Sequence, residues 1–157
     1  MFFTFVFLKP DTLERGLTPS VLARLSAESL SIQTFSYVIV SKEKIFAHYA
    51  GVIDQLGEAF KEKVLVSFLN KPVIPVILGS ADAKIISKVR KIIGATDPSK
   101  AEPGTIRGDF GVDSFAQSDQ EGRCCDNLIH ASDSVESFYL ETALWFGEET
   151  AKNYRCY

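Results

Sequence analysis

The residues best suited to chemistry in this chain are a histidine and a glutamate near its C-terminal end. His130 lies in the stretch NLIHASDS at 127–134 and is one of only 2 histidines in the chain. Glu141 lies on a predicted helix, at the edge of an apolar face that contains Phe138 and Trp145. Because helical side chains lean toward the helix N-terminus, we expect the Glu141 carboxylate to reach back toward the His130 ring.

A histidine held in this way has the properties of a nucleophile. A carboxylate on one ring nitrogen fixes the tautomer and leaves the other nitrogen with a free lone pair. Since the unperturbed pKa of histidine is about 6.5, the ring is mostly neutral at cellular pH and needs no separate base. The pair alone leaves a second interpretation open, in which His130 is a core histidine with a satisfied partner. The Ser-Asp-Ser at 132–134 is also typical of helix capping, with Asp133 as the N-cap and Glu136 three residues later.

Three cations from distant parts of the chain favour the nucleophile. Lys9 ends the first predicted strand, Arg90 lies at the edge of a predicted helix, and Arg107 follows in a long loop with glycines nearby. Three cations around one neutral histidine would suit a phosphate chain. The alternative for each cation is a solvated surface charge, which is the commoner case. Neither of the usual glycine-rich nucleotide-binding motifs is present.

Composition narrows the class of protein. The 157 residues carry a net charge of −3, with 46% hydrophobic and 24% charged residues, as expected for one globular domain over 1–157. A net negative chain has no general attraction for nucleic acid. The apolar start MFFTFVFLKP lacks the basic segment and cleavage pattern of a signal peptide, and no stretch is long enough to span a bilayer. Cys124, Cys125 and Cys156 match no disulfide framework or zinc site, which favours incidental thiols in a reducing, cytoplasmic setting.

The elements that must position these side chains follow from periodicity and turn signals. Pro75 favours an edge strand or a bulge for the third strand. The stretch 95–111 shows no period and is predicted to be a functional loop, and the polar stretch after it is predicted to be irregular. Strands are predicted at 3–8, 35–40, 73–79 and 128–130, and helices at 18–28, 41–49, 54–69, 81–94 and 134–146. The order indicates an α+β fold of the split βαβ type, with a four-stranded antiparallel sheet and helices on one face.

Three motifs, spaced along the chain, resemble those of the nucleoside diphosphate kinase family and occur in the same order. TFVFLKPDTLERGL at 4–17 resembles the family's opening strand and turn, and GATDPSKAEPGTIRGDFG at 94–111 resembles its nucleotide-clamping loop. NLIHASDSVESFYLETALWF at 127–146 contains the family's Asn-x-x-His-[Gly/Ala]-Ser-Asp signature. The resemblance covers nearly the whole chain and implies a ferredoxin-like fold. It also implies ping-pong transfer of a terminal phosphate between nucleotides through a phosphohistidine.

The resemblance further implies a role for each site residue. His130 would carry the phosphoryl group and Glu141 would orient it, with Ser132 bonded to Glu141 and Tyr49 beside His130. The other implied residues contact the phosphates, the sugar or the base. The phosphate contacts are Arg90, Thr96 and Arg107. Lys9 contacts the sugar and also the transferring phosphate, and Asn127 contacts the sugar. Phe60 stacks on the base, with Leu65 beside it.

The same resemblance implies substrates, cofactor and assembly. ATP and other nucleoside tri- and diphosphates would be substrates, Mg²⁺ would be carried by their phosphates, and the chain would form a dimer-based tetramer or hexamer. Two features depart from the family pattern. Thr12 stands where the family often has glycine, and the stretch between Phe110 and Asn127, with its adjacent cysteines in 113–126, is longer than usual. This stretch could alter base preference or a subunit contact.

Two other functions remain to be weighed against the kinase. One is a catalytically silent, nucleotide-binding regulatory protein of the same fold, which the long stretch 113–126 motivates. The other is a nucleic-acid-binding module of ferredoxin-like fold. The acidic net charge and the lack of a basic, aromatic strand motif argue against the second.

Overall fold

The sheet at the centre of the protein is antiparallel and has more strands than the sequence predicts. The computed structural model describes residues 1–154, so Cys156 lies outside the described residues. Within them the strands are β1 (Phe2–Leu8), β2 (Ser31–Phe35), β3 (Val38–Ile39), β4 (Pro72–Ser80) and β5 (Ile129–Ala131). Their order is β2-β4-β1-β5, and β3 also pairs with β4. The α+β class is confirmed, but this part of the chain has five strands where four are predicted.

Pro75 explains the extra strand. The backbone carbonyl of Pro75 accepts a hydrogen bond from the Ser36 nitrogen at 3.0 Å. In an extended chain the nitrogen and carbonyl of one residue face the same neighbouring strand, and a proline nitrogen carries no hydrogen. The ladder is therefore interrupted there, and β4 pairs with β2 on one side of Pro75 and with β3 on the other. The predicted edge position is wrong, because β4 lies between β2 and β1.

Helices cover both faces of the sheet rather than one. In β1, Val6 and Leu8 pack into one buried cluster and Phe5 and Phe7 into the other. The Val6 cluster also holds Val89, from one of the helices that flank the sheet. A strand buried on both faces has no polar alternation. This is why the start of the chain is a continuous apolar run.

Several helices differ from the predicted ones for local reasons. The helix predicted at 54–69 is two helices separated by Gly57, whose φ of 78° favours glycine. The loop predicted at 95–111 contains a 3-10 turn and a short helix that begins after Thr105, whose hydroxyl accepts from the Gly108 nitrogen. Within residues 1–154 the helices are α1 (Pro10–Glu14), α2 (Thr18–Ser26), α3 (Lys42–His48), α4 (Ala50–Leu56), α5 (Glu58–Phe68), α6 (Ile85–Ile93), α7 (Ile106–Phe110), α8 (Phe115–Gln120), α9 (Val135–Phe146) and α10 (Glu148–Asn153). None of these has the length and apolarity that a bilayer-crossing helix needs.

The strand and helix that carry the two candidate residues lie next to each other in the chain. Strand β5 pairs with β1 so that His130 is opposite Phe7. Helix α9 begins four residues after the end of β5, and its N-cap is Ser134, which accepts from the Ser137 nitrogen. The predicted N-cap, Asp133, instead accepts a hydrogen bond from the Ser137 hydroxyl at 2.6 Å.

Candidate active site

The His130 ring is held between aromatic rings and a carboxylate. The Phe7 ring stacks on it with centroids 5.0 Å apart, and the His48 ring meets it edge-on at 4.4 Å. Its Nε2 lies 2.7 Å from Glu141 Oε1. Because a carboxylate only accepts hydrogen bonds, Nε2 carries a proton, and in the neutral tautomer Nδ1 is the nitrogen with the lone pair. The His130 side chain is 24% exposed, so the ring is accessible from solvent.

Glu141 is itself fixed on both of its oxygens. Oε1 accepts from His130, and Oε2 accepts a hydrogen bond from the hydroxyl of Ser132, which is fully buried. The Ser132 nitrogen in turn donates to the Phe5 carbonyl at 3.0 Å, which continues the β1–β5 pairing. The orientation of the His130 ring is therefore tied to the central sheet through two side chains.

His130 opens onto a cavity of about 250 Å³, which we call the histidine cleft. Its wall includes His48, Tyr49, Val52, Arg90, Thr96, Arg107, His130 and Glu141. Arg90 is exposed and donates to the Ala131 carbonyl at 3.3 Å. Arg107 is buried and donates to the carbonyls of Asn127, Gly94 and Ile129 at 3.0, 3.1 and 2.6 Å. These bonds use three of the five guanidinium N–H groups of Arg107, and two remain.

The environment of Arg107 leaves it charged. Burial, and after it the nearby Arg90 charge, lowers the pKa of Arg107 to about 10. This value is still well above neutral pH. Two guanidinium groups therefore border the cleft onto which His130 opens.

Lys9 and Asn127 form a second polar group, next to this cleft. The Lys9 ammonium donates to the Cys125 carbonyl at 2.6 Å and to Asn127 Oδ1 at 2.9 Å, and the Asn127 amide donates to the Thr96 carbonyl at 2.9 Å. Burial lowers the pKa of Lys9. The ammonium thus lies in a desolvated position where a bound anion would be a favourable partner.

The Lys9 and Asn127 side chains border an adjoining cavity of about 510 Å³, which we call the aromatic cleft. Its wall includes Lys9, Tyr49, Val52, Leu56, Phe60, Thr96, Phe115, Cys124, Cys125 and Asn127. Tyr49, Val52 and Thr96 border both clefts, so the two lie next to each other. Burial raises the pKa of both cysteines, to about 12 for Cys125, so both are thiols rather than thiolates at neutral pH.

Most of the predicted residues meet around these two clefts, but Leu65 does not border either one. Leu65 follows Phe60 by five positions on α5, which turns it about 140° away around the helix. Tyr49, predicted beside His130, borders the same cleft, but the ring in edge-on contact with His130 is His48. The His48 and Tyr49 rings meet at 4.7 Å.

Sequence reasoning missed His48, although it is the only histidine besides His130 and directly precedes Tyr49. Trp145 Nε1 donates to His48 Nδ1 at 3.2 Å. Burial, and after it the nearby His130, lowers the pKa of His48 well below its usual value, so the ring is neutral.

Among the described residues, His48, His130 and Glu141 offer ligand atoms within 4.8 Å of one another. Two imidazoles suit zinc or copper better than magnesium. Trp145 already bonds one nitrogen of His48, and Glu141 bonds one nitrogen of His130. This group of residues is therefore poorly suited to hold magnesium.

A strained residue also lies at the site, and only the structure reveals it. Leu128, just before β5, has a φ of 73°, a conformation that is costly for any residue except glycine. Its nitrogen donates to Asp11 Oδ2 at 3.1 Å. Its carbonyl accepts from the Lys9 nitrogen at 2.8 Å and from the Thr12 hydroxyl at 2.6 Å. The segment at 9–12 therefore holds the turn that leads from Asn127 to His130.

The sequence matches one protein family along almost its whole length. The family model described as nucleoside diphosphate kinase matches residues 3–151. A nucleoside diphosphate kinase of Picosynechococcus sp. is 40% identical over 151 residues, which cover 96% of this chain and 91% of that relative. Nucleoside diphosphate kinase 1 of Pisum sativum is 36% identical over 148 residues, or 94% of this chain and 89% of that protein.

Solved structures agree with the sequence relatives. A transition-state mimic of the nucleoside-diphosphate kinase of Borrelia burgdorferi, with bound vanadate and ADP, superposes with a TM-score of 0.87 at 32% identity. The match covers 98% of this chain and 92% of that one. An NDP kinase of Pyrobaculum aerophilum has a TM-score of 0.81 at 29% identity, over 95% and 97% of the two chains. The chain therefore belongs to the nucleoside diphosphate kinase family, a family of nucleotide-binding phosphotransferases.

Proposed function

We propose that His130 Nδ1 is the atom that carries the phosphoryl group between nucleotides. The terminal P–O bond of a nucleoside triphosphate, mainly ATP, breaks as the Nδ1–P bond forms, and the diphosphate leaves with the electron pair. A terminal oxygen of a second nucleoside diphosphate then attacks the same phosphorus and Nδ1 leaves. The observation that carries this proposal is the 2.7 Å contact from Glu141 to Nε2, which makes Nδ1 the nitrogen with the lone pair in the neutral imidazole.

The cations around the histidine cleft stabilise the charge that develops during transfer. Phosphoryl transfer spreads negative charge over the oxygens of the moving group, and fixed donors stabilise it without rearrangement. Arg90 and Arg107 supply that charge, and Thr96 adds a hydroxyl near the phosphates. Lys9 reaches the sugar hydroxyl and the transferring phosphate. This assignment is supported by the backbone contacts that hold Arg107 and Lys9 in place.

The nucleotide extends from one cleft into the other. Its phosphates occupy the histidine cleft and its base lies in the aromatic cleft on Phe60, with the sugar at Asn127. The position of Tyr49 and Thr96 in the walls of both clefts supports this placement. Stacking tolerates different bases, so several diphosphates act as acceptors.

Mg²⁺ would be carried by the nucleotide phosphates rather than held by a site on the protein. Magnesium prefers oxygen ligands and often binds through one or two carboxylates together with substrate phosphates. Both Glu141 oxygens are already bonded to His130 and Ser132, and Asp133 is bonded to Ser137. These residues do not form a protein cage for the ion, which fits a metal held chiefly by phosphate oxygens. When bound, it neutralises phosphate charge.

The chain forms a homo-oligomer, built from dimers into a tetramer or hexamer. Apolar side chains on β2 and β3 support this assembly, because Phe35 is 69% exposed and Ile39 is 54% exposed. Tyr37, between the two strands, is 62% exposed. Such a patch is typical of a protein interface. Light scattering on the purified chain would measure the mass of the assembly, and a monomer at every concentration would contradict this part of the proposal.

The chain acts as one catalytic domain over 1–157 in the cytoplasm. Two free thiols, Cys124 and Cys125, support a reducing compartment.

Phosphate labelling tests the reaction. The chain is mixed with Mg-ATP labelled on the terminal phosphate, and an acid-labile label is expected on the protein but not on His130→Ala. Adding a deoxynucleoside diphosphate should then remove the label and yield the labelled triphosphate. Equal labelling of both proteins would contradict the proposal. Tight nucleotide binding with no turnover of the deoxynucleoside diphosphate would favour the catalytically silent alternative.

A further inference from the structure

The long stretch 113–126 folds into a compact unit of its own. Arg123 donates to both oxygens of Asp113, at 2.6 and 3.2 Å, and to Glu121 at 2.6 Å. Asp113 also accepts from the Asp126 nitrogen at 2.7 Å. These contacts join the two ends of the stretch through buried Asp113. Helix α8, between them, is therefore held in a defined position.

The same stretch is attached to α5, the helix that carries Phe60. Lys63 on α5 forms an ion pair with Asp119 on α8 at 2.7 Å. Ser67 on α5 accepts a hydrogen bond from the Cys124 nitrogen at 2.9 Å. Two contacts a full helical turn apart on α5 fix the stretch against this helix.

Helix α8 thereby becomes part of the wall of the aromatic cleft. Phe115 and Ser118 of α8 border the cleft together with Phe60 of α5 and Leu56 of α4. Leu56 is 61% exposed and Phe115 is 45% exposed. Exposed apolar side chains gathered around one cavity are typical of a binding site for an apolar surface.

We propose that the α8 wall makes this kinase select purine over pyrimidine bases by size. The proposal rests on the proposed function, because it takes the aromatic cleft as the base site. Stacking and dispersion increase with the ring area in contact. A cleft bordered by apolar groups from α4, α5 and α8 therefore stabilises a bicyclic base more than a single ring.

Most polar groups of the wall are already bonded within the protein, which leaves few to read the base edge. Arg123 is bonded to Asp113 and Glu121, Asp119 is paired with Lys63, and the Ser118 hydroxyl donates to the Phe115 carbonyl at 3.1 Å. Discrimination between bases by hydrogen bonding needs groups that lose a partner when the wrong base binds. Adenine and guanine are therefore accepted alike, and the selectivity separates purines from pyrimidines.

The test is the rate at which each diphosphate removes phosphate from the labelled chain. The dADP, dGDP, dCDP and dTDP substrates are compared for the natural chain, for Phe115→Ala and for Val112→Ala. Val112 lies just before α8, is 78% exposed and does not border the cleft, so it is the matched control. Phe115→Ala should lower kcat/KM for both purines about tenfold and for pyrimidines about twofold or less, the scale of losing one stacking partner.

Three outcomes would overturn the proposal. The first is a natural chain with equal kcat/KM for pyrimidine and purine diphosphates. The second is a Phe115→Ala chain that loses all four activities equally, and the third is a Val112→Ala chain that behaves like Phe115→Ala. Labelling by saturating Mg-ATP separates this failure from that of the proposed function. A chain that labels on His130 and shows no base preference contradicts only the α8 wall. A chain that never labels contradicts the kinase mechanism itself.

Discussion

The two clefts of this kinase are built in opposite ways. In the histidine cleft many polar side chains already have protein partners, and Glu141 and Arg107 are each fixed by two or more hydrogen bonds. In the aromatic cleft Lys9 and Asn127 are also bonded, but Leu56 and Phe115 present exposed apolar surface. The first arrangement holds groups in a precise geometry before substrate binds, while the second gains its favourable contacts on binding. We therefore expect changes in the first cleft to affect kcat and changes in the second to affect KM.

Removing the carboxylate that holds the nucleophile should have the largest effect. Glu141→Ala leaves Nε2 of His130 without its acceptor and the ring free to turn. Misplacement of a reacting group by about 1 Å can cost 10²-fold in rate, so we expect kcat to fall by about 10²-fold with little change in KM. Rapid-quench measurement of His130 labelling gives both values. Glu141→Gln, which keeps the size but not the charge, is the matched control and should retain more activity. A change in KM alone would contradict the assigned role.

Removing the stacking ring of the aromatic cleft should have a smaller effect of the other kind. Phe60→Ala loses a base contact of about 1–3 kcal/mol, so KM should rise by roughly tenfold while kcat stays near that of the natural chain. Leu65→Ala, on the same helix but outside both clefts, is the control. If Leu65→Ala raised KM as much as Phe60→Ala, the placement of the base would be wrong.

The buried ring beside the nucleophile should make stability depend on pH. The folded pKa of His48 lies well below its unfolded value of about 6.5. Below pH 6.5 the unfolded chain therefore binds a proton that the folded chain refuses. The stability present above that pH should fall on acidification by up to about 1.4 kcal/mol per pH unit. Urea unfolding between pH 7 and 5 measures this slope, and His48→Asn should reduce it. An unchanged slope in that variant would assign the effect to other groups.

The smallest predicted effect concerns the turn that positions β5. Thr12→Ala removes one of the two hydrogen bonds to the strained Leu128 carbonyl, and we expect about 1 kcal/mol of lost stability. Thr12→Ser keeps the hydroxyl and should recover most of this loss in urea unfolding. If Thr12→Ser were as unstable as Thr12→Ala, methyl packing rather than the hydrogen bond would explain the residue.

Features with a long period or a local geometric rule could be predicted from the sequence. The apolar stripe of α6 gives buried Ile85, Val89 and Ile93, although the helix begins at Ile85 rather than at 81. The approach of Glu141 to His130 follows from the lean of helical side chains and from the short connection between β5 and α9. Both inferences depend only on neighbours in the chain.

Features set by long-range contacts could not be predicted. Short helices such as α7 and α8 have too few residues to show a period, and each depends on one capping hydroxyl, that of Thr105 or Ser114. The contact of His48 with His130 joins residues far apart in sequence. The role of Thr12 depends on Leu128, which no local pattern connects to it.

The central claim is that Nδ1 of His130 is the open nitrogen, because Glu141 holds Nε2. The most direct test is NMR assignment of the phosphorylated ring in the intact protein after reaction with Mg-ATP, using nitrogen-15-labelled histidine and phosphorus coupling. The account predicts a single phosphohistidine with phosphorus bonded to Nδ1 and a proton on Nε2. Phosphate on Nε2, or on His48, would contradict it.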